Sequence, residues 1–490
     1  MLAKSFLVVM ISEIIYNFSG YVIQSGMGRI LGPADYGRYG LIVTTTTMIV
    51  VLIGNGIPTA MSKYLSEIFQ KKPGLVPVIK RKAALAQFIL IGATSLIFYL
   101  ITPWIAEVLG DSSLISLFRI SVFIIPAFAL ASFYFSYYTG IHQFRVQAFL
   151  KILRSVARIV FILGLAWLLK SRGLALKGSI IGYILSPLIV FLGAQLFNSF
   201  RHQKTEGNFS MKKLFNYAWP VTLFMLAYEF LITVDLYLVK IILHSDYLTG
   251  IYNAVITIGR IPYYLFYALT IILLPAVSHS TSNENQVQTQ KIVSESLRLM
   301  VIFLAPICIL MSTFANPIVQ IFYSKRFLEA GGPMSIFVYG IGFLTVFYIF
   351  TFILNGAGKV YVPMTISFVG LLFNSLVTFF LIKKYALWGG VLGTTITSFL
   401  VMVAILIYAY RYFGYLFQLS RFLKIMLASG IMFLLAQFFP NQDFTFFIWS
   451  AILFGAYLAI LFGLKEIGTE EWQFLLETLK RKKKQVPKVE

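Results

Sequence analysis

The sequence predicts an all-α polytopic membrane protein of about fourteen transmembrane helices. Three observations predict it. The 490 residues are 59% hydrophobic and 12% charged, whereas a soluble domain carries about 25% charged residues, so the chain has too few charges to cover a water-facing surface. Apolar runs long enough to cross a bilayer recur from end to end. Lys and Arg gather beside those runs, which is how membrane orientation is encoded.

The runs follow in order. The first, 5–27, is interrupted by Glu13 and Asn17 and closed by no small-residue cleavage site, so it reads as a retained helix and not a signal peptide. The second, 37–61, closes at Pro58, and a basic "KRK" at 80–82 precedes the third, 83–105. The fourth, 117–140, contains Pro126. The fifth, 156–170, is short and is expected to start earlier, as an amphipathic segment carrying Arg154 and Arg158. Then come 178–200 with Pro187, 217–240 with Glu229 and Asp235, and 249–275 with Arg260, closing at Pro275. The ninth, 298–322, contains Pro306; the tenth and eleventh, 333–357 and 361–382, have the tightest gap between them; and 389–411, 422–439 and 445–463 complete the series. Proline within a helix removes a backbone hydrogen bond and kinks it, which serves either a hinge or ordinary packing.

Charge sets the orientation. With the N-terminus in the cytoplasm, segments on that side hold 28 Lys and Arg, those on the other side hold 11, and Arg260 within a span completes the 40. Both termini are therefore expected in the cytoplasm of a multi-pass plasma-membrane protein. The tail, 465–490, places Trp472, Leu475, Leu476 and Leu479 on one helical face before "KRKKK" at 480–484. It reads either as an amphipathic helix on anionic lipid or as a simple orientation signal. The net charge of +22 is thus topological and implies no nucleic-acid partner.

Several chemistries are disfavoured. The lone cysteine, Cys308, permits no intramolecular disulfide, and His142, His202, His244 and His279 are too widely spaced for a metal cluster. No phosphate-cradling loop is present, and no hydrophilic segment is long enough for a catalytic domain. No enzyme activity and no resident cofactor or metal are expected.

The chain repeats itself. "RILGPADYGRYG" at 29–40 returns weakly as "IILHSDYLTGIYN" at 241–253, "TGIHQFRV" at 139–146 as "NGAGKVYV" at 355–362, and "LALKGSIIG" at 174–182 as "YALWGGVLG" at 385–393. The offsets are 211, 216 and 211 residues. The expected organisation is an N-terminal six-helix half (1–205), a C-terminal six-helix half (206–415), helices 13 and 14 (416–464) and the basic tail (465–490). Six spans is an even number, so the halves share one orientation and a pseudo-twofold axis along the membrane normal, the geometry of alternating access.

The early "RILGPADYGRYGL" after an amphipathic span, the basic loop after span 2 and the "NGAGKVYVP" turn before span 11 resemble the polysaccharide transporter family. That family includes O-antigen-type oligosaccharide flippases, within the multidrug/oligosaccharidyl-lipid/polysaccharide exporter superfamily. The resemblance covers essentially the whole chain and implies translocation of a polyprenyl-(pyro)phosphate-linked oligosaccharide to the outer leaflet for cell-surface polysaccharide synthesis. It also implies a groove at spans 13 and 14 for the polyprenyl tail, membrane lipids as partners, and contact with a polysaccharide polymerase and glycosyltransferases of the same pathway. The alternatives are an ion-coupled multidrug exporter or a lipid II flippase of the same superfamily.

Charges inside a bilayer are costly, about 2.5–3.5 kcal/mol on insertion scales, so the polar residues within spans mark candidate sites. Glu13, Asn17, Gly20 and Gln24, with Tyr16 and Ser19 alongside, form one face of span 1. That face either lines a cavity or makes a helix contact. Asn253, Thr257, Arg260 and Tyr264 form a second stripe in span 8, where Arg260 is a candidate for substrate phosphate or for an internal pair with Asp235 or Glu229. Glu229, Asp235 and Glu13 are candidates for coupling to Na⁺ or H⁺. Arg119, Arg154 and Arg158 read most simply as interfacial anchors; the alternative is that they face the cleft, with Arg154 and Arg158 at i, i+4 on one face, and make the first half's interior cationic. Tyr137, Tyr138, Tyr263, Tyr264 and Tyr267 are expected in an interfacial belt, with sugar stacking or the lining of a lipid groove as the alternatives.

Overall fold

The computed structural model describes residues 2–54, 56–197, 207–282, 286–416, 418–439 and 445–466. His202 and the tail residues Trp472, Leu475, Leu476 and Leu479 lie outside them. The described chain is helical. α1 (Leu2–Leu31) leads through Gly32 into α2 (Pro33–Gly54), which resumes after a break as α3 (Ile57–Ile68). Next come α4 (Leu75–Val108), α5 (Leu114–Ser121) with α6 (Ile124–Gly140), α7 (Phe144–Lys170) and α8 (Ala175–Leu196). A second series begins with α9 (Met211–Leu243), then α10 (Asp246–Gly259) with α11 (Ile261–Ser282), α12 (Gln286–Thr313), α13 (Ala315–Phe322), a 3₁₀ turn (Lys325–Ala330), α14 (Gly331–Gly356), α15 (Tyr361–Tyr385) and α16 (Leu387–Phe413). α17 (Leu419–Ala436) and α18 (Phe446–Gly463) follow and pack beside α12.

Each apolar segment of the sequence lies on a helix or a broken pair of helices. Among the described residues, 11 helical segments are long and apolar enough to cross a membrane. The other three segments expected from the sequence, on α1, α9 and α10–α11, carry Glu13, Glu229, Asp235 and Arg260. Pro58 does not close the second span: it sits in the first turn of α3, where its missing N–H costs nothing, and the helix runs on to Ile68. Nor does Pro275 close the eighth, since α11 continues to Ser282. That span is broken instead at Arg260, two residues before Pro262, whose lack of an N–H interrupts the backbone ladder.

The three repeated motifs occupy matching structural positions. "TGIHQFRV" and "NGAGKVYV" are the same helix stop: His142 and Gly358 both take positive φ, 55° and 77°. The amide after each donates back to the last turn, Gln143 to Tyr138 and Lys359 to Leu354, both at 2.8 Å. "LALKGSIIG" and "YALWGGVLG" are the same helix contact. Gly178 and Gly182 let α8 lie on the backbone of α7 at Leu165 and Ile162, and Gly389 and Gly393 let α16 lie on α15 at Leu381 and Thr378. Neighbours repeat too: α1 packs on α7 as α9 packs on α15, and α6 on α8 as α14 on α16. Gly182→Val or Gly393→Val is expected to destabilise the fold by about 1–3 kcal/mol through overpacking, read as a lowered melting temperature in detergent; an unchanged melt would exclude that contact as a structural requirement.

One apolar core runs through both series. A second lies among α3, α4, α6, α7, α8 and the start of α9 and includes Tyr137 and Tyr138. These two tyrosines are core residues, not belt residues: Tyr138 donates to the Ala194 carbonyl at 2.6 Å, and the Lys80 ammonium lies 4.2 Å from the Tyr137 ring centre.

Candidate functional site

Where α1, α2, α7 and α8 face α9, α10 and α11 there is a cavity of about 360 Å³. α1 contributes Tyr16, Asn17, Gly20, Tyr21 and Gln24; α7 contributes Arg154 and Arg158; α10, its break and the start of α11 contribute Asn253, Thr257, Arg260 and Tyr264. The charged groups lining it are three arginines, with no carboxylate among the lining residues.

Each arginine is held differently. Arg158 lies over the Tyr16 ring at 3.9 Å; its Nε donates to Ser19 Oγ at 2.8 Å and its Nη2 to the Tyr16 carbonyl. Arg154 is only 6% exposed and stacks on Phe128 at 3.8 Å. Arg260 sits at the helix break, where its Nη2 donates to the Ile232 carbonyl of α9. Three buried donors on this lining have no partner: Arg154 Nε, Asn253 Nδ2 and the Tyr21 hydroxyl. A buried donor left unpaired costs about 1–3 kcal/mol, so the cavity is arranged for a ligand rich in acceptor oxygens.

Tyrosine hydroxyls close one end. Tyr36 donates to Gln24 Oε1 at 2.7 Å and meets the Tyr323 hydroxyl at 2.8 Å, while Tyr39 and Tyr183 share a hydrogen bond of 2.9 Å. Of the span 1 stripe, Asn17, Gly20 and Gln24 line the cavity, whereas Glu13 pairs with Lys151 of α7. The span 8 stripe lines it throughout.

Asp235 lies away from the lining and is fully buried. Its Oδ2 accepts from Tyr252 at 3.0 Å and Thr394 at 2.9 Å, and its Oδ1 from the Leu236 amide at 2.9 Å. Asn374 Oδ1 accepts from Thr378 at 2.8 Å and Thr397 at 3.4 Å. The first group ties α9 to α10 and α16; the second ties α15 to α16 and, through Asn374 Nδ2 donating to the Leu231 carbonyl at 3.1 Å, to α9. Glu229 is half-buried on α9, with Thr233 donating to its backbone carbonyl. The internal pair considered for Arg260 is not formed among the described residues.

Arg119 is exposed beside the Tyr99 ring, as an anchor would be. Arg154 and Arg158 are not anchors: they line the cavity. Their i, i+4 spacing gave the signal, and Lys151 extends the same face. Tyr264 lines the cavity, and Tyr263 is packed against Tyr348 at 4.8 Å; the Tyr267 side chain lies outside the described residues. Tyr21 and Tyr183 had no sequence signal, being ordinary within apolar spans.

A second, mainly apolar cavity of about 700 Å³ lies among α12, α14, α16 and α17. Val301, Ile309, Phe343 and Met402 line its body, and Lys291, Glu295, Arg298 and Arg421 one end.

The profile of the family described as "Polysaccharide biosynthesis protein" matches residues 2–281. The chain belongs to that family. It is a multi-pass membrane protein. It is 27% identical over 175 residues to the uncharacterized membrane protein MJ1068 of Methanocaldococcus jannaschii, covering 35% of this chain and only 34% of that one. To MJ1375 of the same organism it is 24% identical over 430 residues, covering 82% of this chain and 96% of that one. Its fold is that of lipid II flippase MurJ in an inward closed conformation, with a TM-score of 0.75 at 16% identity over 94% of this chain and 98% of that one. An inward-facing multidrug resistance transporter of the MATE family and MOP superfamily superposes with a TM-score of 0.73 at 11% identity, over 82% and 94% of the two chains.

Proposed function

We propose that this family member is a flippase that moves a polyprenyl-(pyro)phosphate-linked oligosaccharide from the cytoplasmic to the outer leaflet of the plasma membrane. One observation carries the reading: the central cavity presents three arginines, no carboxylate and unpartnered buried donors. Arginine forks match phosphate oxygens, and a linker phosphate would satisfy Arg154, Arg158 and Arg260 at once. Asn17, Gln24, Asn253 and Thr257 supply hydrogen bonds for the first sugars, and Tyr16 and Tyr264 supply ring faces. The same lining disfavours export of cationic drugs, which would need acidic groups.

The two helix series act as halves related by an axis along the membrane normal and rock about the cavity; the paired motifs and paired helix neighbours support this. The apolar cavity beside α17 takes the polyprenyl tail, so the tail site lies between span 13 and the second series and not between spans 13 and 14. Asp235 is the first candidate for ion coupling, because hydroxyl groups from two other helices, α10 and α16, converge on it. Na⁺ and H⁺ both suit that chemistry. Glu229 is the second candidate, while Glu13 is committed to Lys151. The pathway's polymerase and glycosyltransferases would meet the protein on either membrane face.

The test is flipping in liposomes. One leaflet is loaded with polyprenyl-pyrophosphate-linked oligosaccharide, and its exposure to a membrane-impermeant glycan-modifying enzyme is followed. Protein-dependent exposure is expected, reduced about tenfold or more by Arg260→Ala or Arg158→Gln, the range for losing one hydrogen bond to a charged group. Exposure of lipid II alone would move the assignment to a lipid II flippase. No exposure beside efflux of cationic dyes would overturn the reading.

A further inference from the structure

The repeated Asp-Tyr joints meet each other. The start of α2 crosses the start of α10 so closely that Gly37 lies against the Asp246 carbonyl and Gly250 against the Pro33 carbonyl, where a Cβ on either glycine would collide with backbone. Over this crossing sits Arg38, from the first series. Its Nη2 lies 2.8 Å from Asp246 Oδ2 of the second series, its Nε 3.1 Å from Asp111 Oδ2 and its Nη1 3.5 Å from Asp35 Oδ1. Lys240 pairs with the other oxygen of Asp246. The guanidinium is one-third exposed, and the Asp111 and Asp246 side chains are less so.

These groups stand at the same end as the tyrosine closure of the cavity. The charge bias of the loops places that end on the outer face. A partly exposed ion pair across a glycine contact holds only while the two backbones touch. Separating the halves there by a few ångströms removes the Asp246 contact and leaves Arg38 with Asp35 and Asp111 of its own half. The element therefore has two arrangements, and the one seen keeps the outer end shut.

We propose that Arg38 and Asp246 form an ionic latch between the halves, and that its release is a required step in opening the cavity to the outer face. The latch rests on alternating access but not on the identity of the substrate. The test accordingly uses no substrate, so its failure is distinguishable from failure of the flippase reading.

The native cysteine, Cys308, is buried. In a Cys308→Ser background, Thr44→Cys places one thiol on the cavity lining. Labelling by a membrane-impermeant maleimide is followed from each face of oriented proteoliposomes. Arg38→Gln and Asp246→Asn are each expected to raise labelling from the outer face roughly fivefold and to lower it from the inner face, as loss of one partly exposed ion pair, worth up to about 1 kcal/mol, predicts. The double variant should show no more than the larger single effect, because both remove one interaction. Gly250→Ala should raise outer labelling with the ion pair chemically intact. Since Arg38→Gln could fail to fold, the parent protein at about 1 M salt, where the screening length is about 3 Å, should move the same way. Unchanged outer labelling in folded Arg38→Gln and Asp246→Asn, additive effects in the double variant, or a rise confined to the inner face would overturn the latch.

Discussion

Arg154→Gln is expected to slow flipping of a polyprenyl-pyrophosphate-linked glycan by roughly 10- to 150-fold, since a hydrogen bond to a charged group contributes about 1.5–3 kcal/mol. Arg154 is the most buried of the three cavity arginines, and its Nε has no protein partner. The substituted amide retains much of the side-chain volume packed on Phe128 and loses the charge. Initial rates of glycan exposure in liposomes measure the effect, and melting in detergent checks the fold. A folded variant with parental rates would remove Arg154 from the substrate site and leave its orphaned nitrogen unexplained.

Asp235→Asn is expected to abolish stimulation of flipping by an ion gradient. Coupling between two sites is typically worth about 1–3 kcal/mol, or 5- to 150-fold in the coupled equilibrium. An asparagine Oδ1 still accepts from Tyr252 and Thr394, so packing survives while the negative charge is lost. The measurement compares flipping with and without imposed Na⁺ and pH gradients. If stimulation persists in the folded variant, coupling belongs to Glu229 or elsewhere and not to the buried Asp235 group of α9, α10 and α16.

Much of the candidate site was legible from helical spacing alone. Asn17 and Gln24 share a face of one span and Asn253, Thr257 and Arg260 a face of another, and both faces meet in one cavity. A polar stripe in hydrocarbon must find a polar environment. Other assignments failed for identifiable reasons. Arg154 and Arg158 lie near the start of a short span, where positive-inside anchoring is the commoner cause, and nothing in the linear order distinguishes the two. Glu13 belongs to the same stripe as Asn17 yet turns to Lys151. Pro58 and Pro275 looked like ends because proline breaks ladders, but a proline in a first turn breaks nothing, and a helix that has found its packing continues.

The sequence by itself determined the membrane setting, the helical class and the existence of a repeat. Those properties depend on composition and local period: twenty apolar residues must satisfy their backbone groups internally, and only a helix or a closed barrel does so. The tertiary structure decided what the repeat accomplishes. It placed the cationic face of α7 opposite Arg260 and buried Asp235 against two hydroxyls and a backbone amide. It also crossed the two Asp-Tyr joints at Gly37 and Gly250 so that Arg38 reaches Asp246. Period specifies which face of a helix is polar, but the face it meets is chosen by packing among helices hundreds of residues apart.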